Sequence, residues 1–137
     1  TRPQCSCSCV APLLPCSVLV IKPEWLALIL EGIKTLEIRG SATSKVGEVI
    51  YLAPSGDAQL VASCCVTACY GPLGQEEWVS LRSAHCVPEA ARSYGAKTHA
   101  WEFSNVQRIS PPVPYVRKRG VVIWEKLSPK LLMPSSV

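Results

Sequence analysis

Between Gly32 and Arg39 the chain reads Gly-Ile-Lys-Thr-Leu-Glu-Ile-Arg, a short segment holding two cations and one carboxylate. Lys34 and Arg39 can clamp a phosphate or another oxyanion. Glu37 can accept hydrogen bonds from the edge of a base, or act as a general base. The segment falls where a helix gives way to a strand, a junction that commonly edges a cleft. The competing reading is an ordinary surface pair: Glu37 and Arg39 lie on one strand face, where an exposed ion pair is worth under ~1 kcal/mol. Strict alternation puts Lys34 on the opposite face from Glu37, so the junction must turn Lys34 inward if all three are to meet. The expectation is that they share one cleft.

The elements that must position these residues follow from local pattern. Ser17–Ile21 is a β-branched run that reads as a buried strand. Pro23 suits the first turn of a helix, and Trp25, Leu26, Ile29 and Leu30 recur at helical spacing, so Glu24–Glu31 is predicted helical with Gly32 as its stop. Ile33–Arg39, Gly47–Ala53, Gln59–Tyr70, Thr98–Ile109 and Gly120–Leu127 read as further strands. Gln75–Ser83 and Pro88–Tyr94 read as short helices, and Ser110–Lys118 as a Pro-rich loop. Six strands joined by loops and short helices predict a mainly β fold, a barrel, and argue against a doubly wound α/β sheet.

With those elements in place, the chain resembles the ASCH family. Its pattern Gly-x-Lys-x-x-Glu-x-Arg is supplied by Gly32, Lys34, Glu37 and Arg39, after Pro23 and Trp25. Ala100-Trp101-Glu102-Phe103, Pro112-Val113-Pro114-Tyr115, Gly120 and Trp124 then follow in the family's order. The resemblance covers about Ser17 to Leu127. It implies a PUA-like β-barrel whose first helix lies beside a cleft lined by Lys34, Glu37 and Arg39. It also implies RNA or a nucleotide-like molecule as ligand, because members are mostly thought to bind these. Some bacterial members hydrolyse acetylated cytidine or cleave RNA. The amidohydrolases carry Thr where Glu37 stands, and a carboxylate is no conservative replacement for a hydroxyl nucleophile. They also use a later Glu, for which Gln59–Tyr70 offers no acid.

Binding of RNA is therefore the leading expectation. A small hydrolase with Lys34 and Glu37 in catalytic roles, and a protein-interaction module, remain the alternatives. Trp25 and Tyr115 are the aromatic residues expected at the ligand. Tyr115 stands beside Arg117, Lys118 and Arg119, a basic triplet able to touch phosphates without reading sequence. Trp101 and Trp124, inside strands, are expected in the core.

Composition bounds the rest. A chain of 137 residues, 48% hydrophobic and 18% charged, is one globular domain and not a disordered segment. The assignment is residues 1–16 as a flexible Cys/Ser/Pro-rich tail, 17–127 as the domain and 128–137 as a second tail. Basic residues crowd the C-terminal third, which could give a polyanion a preferred face. Cys64, Cys65 and Cys69 are expected as small core hydrophobes, with no disulfide framework, and Cys5-x-Cys7-x-Cys9 lacks the usual spacing of a structural zinc site. No signal peptide and no run long enough to span a bilayer is visible. The expectation is an intracellular monomer, cytoplasmic or nuclear, without cofactor, metal or membrane partner.

Overall fold

In a computed structural model of the chain, residues 16–116 and 124–127 are described, with Cys16 and 124–127 as backbone only. Val18, Leu19 and Ile21 lose all or nearly all contact with solvent in β1 (Cys16–Ile21). Leu19 and Ile21 enter one apolar cluster and Val18 another, so both faces of this strand are covered, which is why its sequence is a continuous apolar run.

Pro23 opens α1 (Pro23–Leu30), with Glu24 at the positive end of its dipole. The helix buries Leu26 and Ile29 against β-strand residues Leu19, Ile50, Ala62 and Phe103. It ends in a Schellman turn. Gly32 takes φ +79°, its N–H donates to Ile29 O at 3.0 Å, and the N–H of Ile33 donates to Leu28 O at 2.9 Å. A side chain at position 32 would strain that turn.

The turn uses residues that the sequence assigns to a strand, so β2 is only Leu36–Arg39. After it come β3 (Val49–Pro54), β4 (Gln59–Tyr70), α2 (Gln75–Ser80), α3 (Arg82–His85), a 3-10 turn at Gly95–Lys97, β5 (His99–Pro114) and β6 (Trp124–Leu127). The sheet runs β2-β5-β4-β3-β1-β6, and among the described residues only β1 and β3 pair in parallel. That parallel pair requires a crossover, and the crossover is α1 plus β2, the segment that carries the charged residues. The sheet curls into a half-barrel. Among the described residues, β2 and β6 are its two edges.

Three local expectations are corrected. Pro88–Tyr94 is not a helix. Its carbonyls are claimed by side chains of the preceding helices: Arg82 donates to Pro88 O, Trp78 Nε1 to Glu89 O and Gln75 to Ala90 O. The segment is strapped across α2 instead. The predicted helix Gln75–Ser83 breaks at Leu81 into α2 and α3, and α3 ends on Cys86 at φ +64°. The Pro-rich loop starts late, because Ser110–Pro114 continues β5. Between the pairs Leu60↔Val113 and Ala62↔Arg108, Pro111 and Pro112 occupy a bulge, where a missing N–H breaks no ladder bond.

The cysteine expectation is also corrected in part. Cys64 lies in the core beneath α1, but Cys65, one residue on and facing the opposite side of β4, is disulfide-bonded. Cys69 and Cys86 are free thiols. One support for the intracellular expectation is thereby removed. The two tails and the Cys5–Cys9 cluster lie outside the described residues. Among the described residues, no helix is long and apolar enough to cross a membrane.

Candidate functional site

The Schellman turn that ends α1 decides where Lys34 goes. Its backbone N–H still bonds Leu28 O at 3.1 Å, so Lys34 belongs to the turn and not to β2, and strand alternation does not govern it. The side chain passes inward and is 1% exposed. Its ammonium donates to His85 O at 2.5 Å, stands 4.0 Å from Glu37 Oε1, and sits 4.9 Å from the centre of the Trp25 ring. Burial pushes the Lys34 pKa below its ordinary value, and the Glu37 charge opposes that shift.

Glu37 and Arg39 share a face of β2, as alternation requires, but that face is buried. Glu37 is 5% exposed. Arg39 Nε donates to Glu37 Oε2 at 3.0 Å, and Nη2 lies 2.9 Å from the same oxygen as an ion pair. Nη2 also donates to Val20 O at 3.0 Å, and the guanidinium lies 5.8 Å from the centre of the Trp101 ring. Trp101, fully buried as its strand position predicts, donates Nε1–H to Ser41 O at 2.9 Å. The reading of Glu37 and Arg39 as a solvated surface pair is therefore excluded. Lys34, Glu37 and Arg39 form one continuous ion array with a net charge of one positive.

The array forms one wall of a cleft of about 550 Å³. Val20 lines it from β1, Lys22 and Trp25 from the start of α1, and Ser55 from the turn after β3. Val87, Glu89, Ser93 and Tyr94 close the far side from the strap. Behind the strap stands His85, fully buried and stacked on Trp78 with ring centres 4.0 Å apart. The Val87 N–H donates to His85 Nδ1 at 2.9 Å, so the ring proton is on Nε2, which donates to Trp78 O at 2.8 Å. The imidazole is neutral, and burial lowers its pKa. It is a post that fixes the carbonyl bonded by Lys34, with neither nitrogen left for a ligand.

Of the residues expected at a ligand, Lys34, Glu37, Arg39 and Trp25 come together here. Tyr115 does not. It is 3% exposed, packed with Val18, Tyr51 and Leu60, because β5 runs on far enough for the Tyr115 N–H to bond Ala58 O. A ring in that position is not offered to a base. Arg117, Lys118 and Arg119 lie outside the described residues, as does the side chain of Trp124. Sequence reasoning missed Glu89, Ser93 and Tyr94, since a segment read as a short helix gives no hint of which residues a strap turns toward a cleft. Among the described residues, no group of His, Cys, Asp and Glu could hold a metal ion.

A half-barrel of mixed strands plugged by one helix, with a charged cleft beside that helix, defines a PUA-like domain. The model of the ASCH domain matches residues 19–113, and the chain belongs to that family. Three crystal structures of an ASCH protein from Zymomonas mobilis share the fold. A serine-to-alanine variant superposes with a TM-score of 0.65 at 18% identity, covering 88% of this chain and 93% of that one. The ASCH protein itself gives 0.58 at 16%, covering 71% and 69%, and a tyrosine-to-phenylalanine variant gives 0.51 at 18%, covering 83% and 76%. No curated protein matches the chain.

Proposed function

We propose that this ASCH domain binds single-stranded RNA, or a nucleotide-like ligand, in the cleft beside α1. The observation that carries this reading is the ion array of Lys34, Glu37 and Arg39, built into the wall of an open cleft. Taking three charges out of water gains the fold little, since apolar residues of the same volume would hold it as well or better. Rigid donors and acceptors facing a cleft are what recognition of a polar ligand requires. Arg39, held on its Nε and Nη2 side, keeps Nη1 for an oxyanion. Glu37 supplies the acceptor for a base edge, and Lys22, exposed at the mouth, adds a phosphate contact.

The test is binding of labelled single-stranded RNA at a series of salt concentrations. Affinity falls as salt rises, because bound counterions are released. Lys22→Ala and Arg39→Ala each weaken all sequences and reduce the slope by about one, whereas Glu37→Gln changes ligand preference and leaves the slope alone.

One observation favours a second reading. A buried lysine of lowered pKa beside a carboxylate has the character of an acid–base pair, as in a hydrolase acting on a modified nucleoside or on RNA. β4 carries no acid that could serve beside them, so binding is preferred. Turnover of acetylcytidine or of RNA, lost in Lys34→Ala, would replace the binding reading. A protein that ignores RNA at every salt concentration and turns nothing over would favour a protein-interaction module.

A further inference from the structure

We infer that Tyr94 is the stacking platform of this cleft, the residue on which an unpaired base of the ligand lies. The inference rests on the RNA reading above and names a contact that it did not assign. Among the described residues, two aromatic rings line the cleft, Trp25 and Tyr94, and they differ in what already occupies them. Trp25 is half-buried, packs against two of the three apolar clusters, and carries the Lys34 ammonium against its ring. It is a wall. Tyr94 is 49% exposed and belongs to none of the clusters.

Tyr94 is nevertheless held in place. Its ring rests on Gly40, the residue that follows Arg39 at the end of β2. A Cβ added at Gly40 would stand 2.9 Å from Tyr94 Cδ1, 3.3 Å from Cγ and 3.4 Å from Cε1. One ring face is thus seated on backbone that has no side chain, and the ring is set next to the guanidinium-bearing strand. The flanking backbone is fixed too. The Tyr94 N–H donates to Thr98 Oγ1 at 3.0 Å, and Arg92, two residues earlier, donates to Leu73 O at 2.9 Å. A large aromatic surface that is positioned but half-solvated, beside an arginine with donors to spare, suits a nucleotide. The base covers the open ring face while its phosphate meets Arg39.

Gly40 gives the inference a test that leaves Tyr94 itself intact. Its backbone is ordinary, so alanine there meets no conformational strain and only pushes against a solvent-facing ring, which can swing away. The experiment is fluorescence anisotropy of a short labelled single-stranded RNA of mixed sequence, with wild type, Tyr94→Ala, Tyr94→Phe, Gly40→Ala and, as control, Tyr70→Ala. Tyr70 is a comparably exposed tyrosine outside this cleft. Stacking predicts a loss of about 5- to 150-fold for Tyr94→Ala. It predicts near-wild-type binding for Tyr94→Phe, which keeps the ring, a smaller loss for Gly40→Ala, and no change for Tyr70→Ala. RNA bound equally by wild type and Tyr94→Ala would overturn this inference alone. So would a Tyr94→Phe as weak as Tyr94→Ala, which would assign the contact to the hydroxyl. A wild-type protein that binds no RNA would overturn the RNA reading, and the stacking role with it.

Discussion

Replacing Glu37 by glutamine keeps the volume and removes the charge that joins Lys34 to Arg39. Unit charges 4.0 Å apart attract by about 4 kcal/mol at an effective dielectric near 20, and Arg39 stands closer still. Part of that attraction offsets the desolvation of Glu37 itself, which the neutral amide no longer suffers. Lys34 keeps His85 O and Arg39 keeps Val20 O. The expected net loss is about 3 kcal/mol, the range seen when one partner of a buried pair is removed. At this size that lowers the Tm by roughly 10 °C.

The loss also has a pH dependence of definite sign. Burial already holds the Lys34 pKa below 10.5, and Glu37 is the main influence raising it. Between the folded value and 10.5 the unfolded chain binds more protons than the folded one, so stability rises with pH across that interval. Without Glu37 the interval extends to lower pH. The Tm deficit of Glu37→Gln should therefore shrink as pH rises toward 10.5, as Lys34 gives up its proton. Adding Lys34→Met should recover part of the deficit at pH 7 and remove its pH dependence. Thermal unfolding followed by circular dichroism measures all three variants. A deficit below ~2 °C, or one that stays constant with pH, would refute the account of the array as a charge network closed by Glu37.

His85 offers a second pH test on the acid side. Its folded pKa lies below 6.5, so stability falls as pH drops from 6.5 through the folded value, and a His85→Phe variant should lose that acid sensitivity while costing about 2–4 kcal/mol at pH 7 through two broken hydrogen bonds. The disulfide at Cys65 predicts that a strong thiol reductant lowers the Tm, by about 2–4 kcal/mol of stability; a Tm that does not respond to reduction would show the bond contributes nothing.

The parts of this fold that sequence makes legible are those set by local pattern. β4 was bounded correctly at Gln59–Tyr70 because an apolar run between two turns has no competing period. α1 was legible because Pro23, the spacing of Leu26 and Ile29, and Gly32 agree at every level. Pro88–Tyr94 failed for a non-local reason: its backbone bonds go to side chains of α2 and α3, which no window around it contains. The site divides the same way. Glu37 and Arg39 on one face followed from alternation, but their burial did not, since their neighbours come from elsewhere in the chain: Val20 O on β1 and the Trp101 ring on β5. Strict alternation alone would put Lys34 on the opposite face from Glu37; the inward turn its place in the cleft requires is a property of the helix end rather than of the strand. Tyr115 was misread because β5 outlasts its prolines.

The parallel pairing of β1 with β3, and its antiparallel pairing with β6, has a consequence for synthesis on the ribosome. β1 emerges before both of its partners, as a strand with two bonding edges and two apolar faces. Its first neighbour arrives only after the whole crossover of α1 and β2 has been made. Its second arrives roughly a hundred residues later, which at 5–20 residues per second is about 5–20 s. For that interval Val18-Leu19-Val20-Ile21 is an open edge of high β-propensity, with α1 as an early cover. The nascent chain, more than the finished domain, is where this protein is exposed to aggregation, and holdase chaperones that take short apolar strands should find it there.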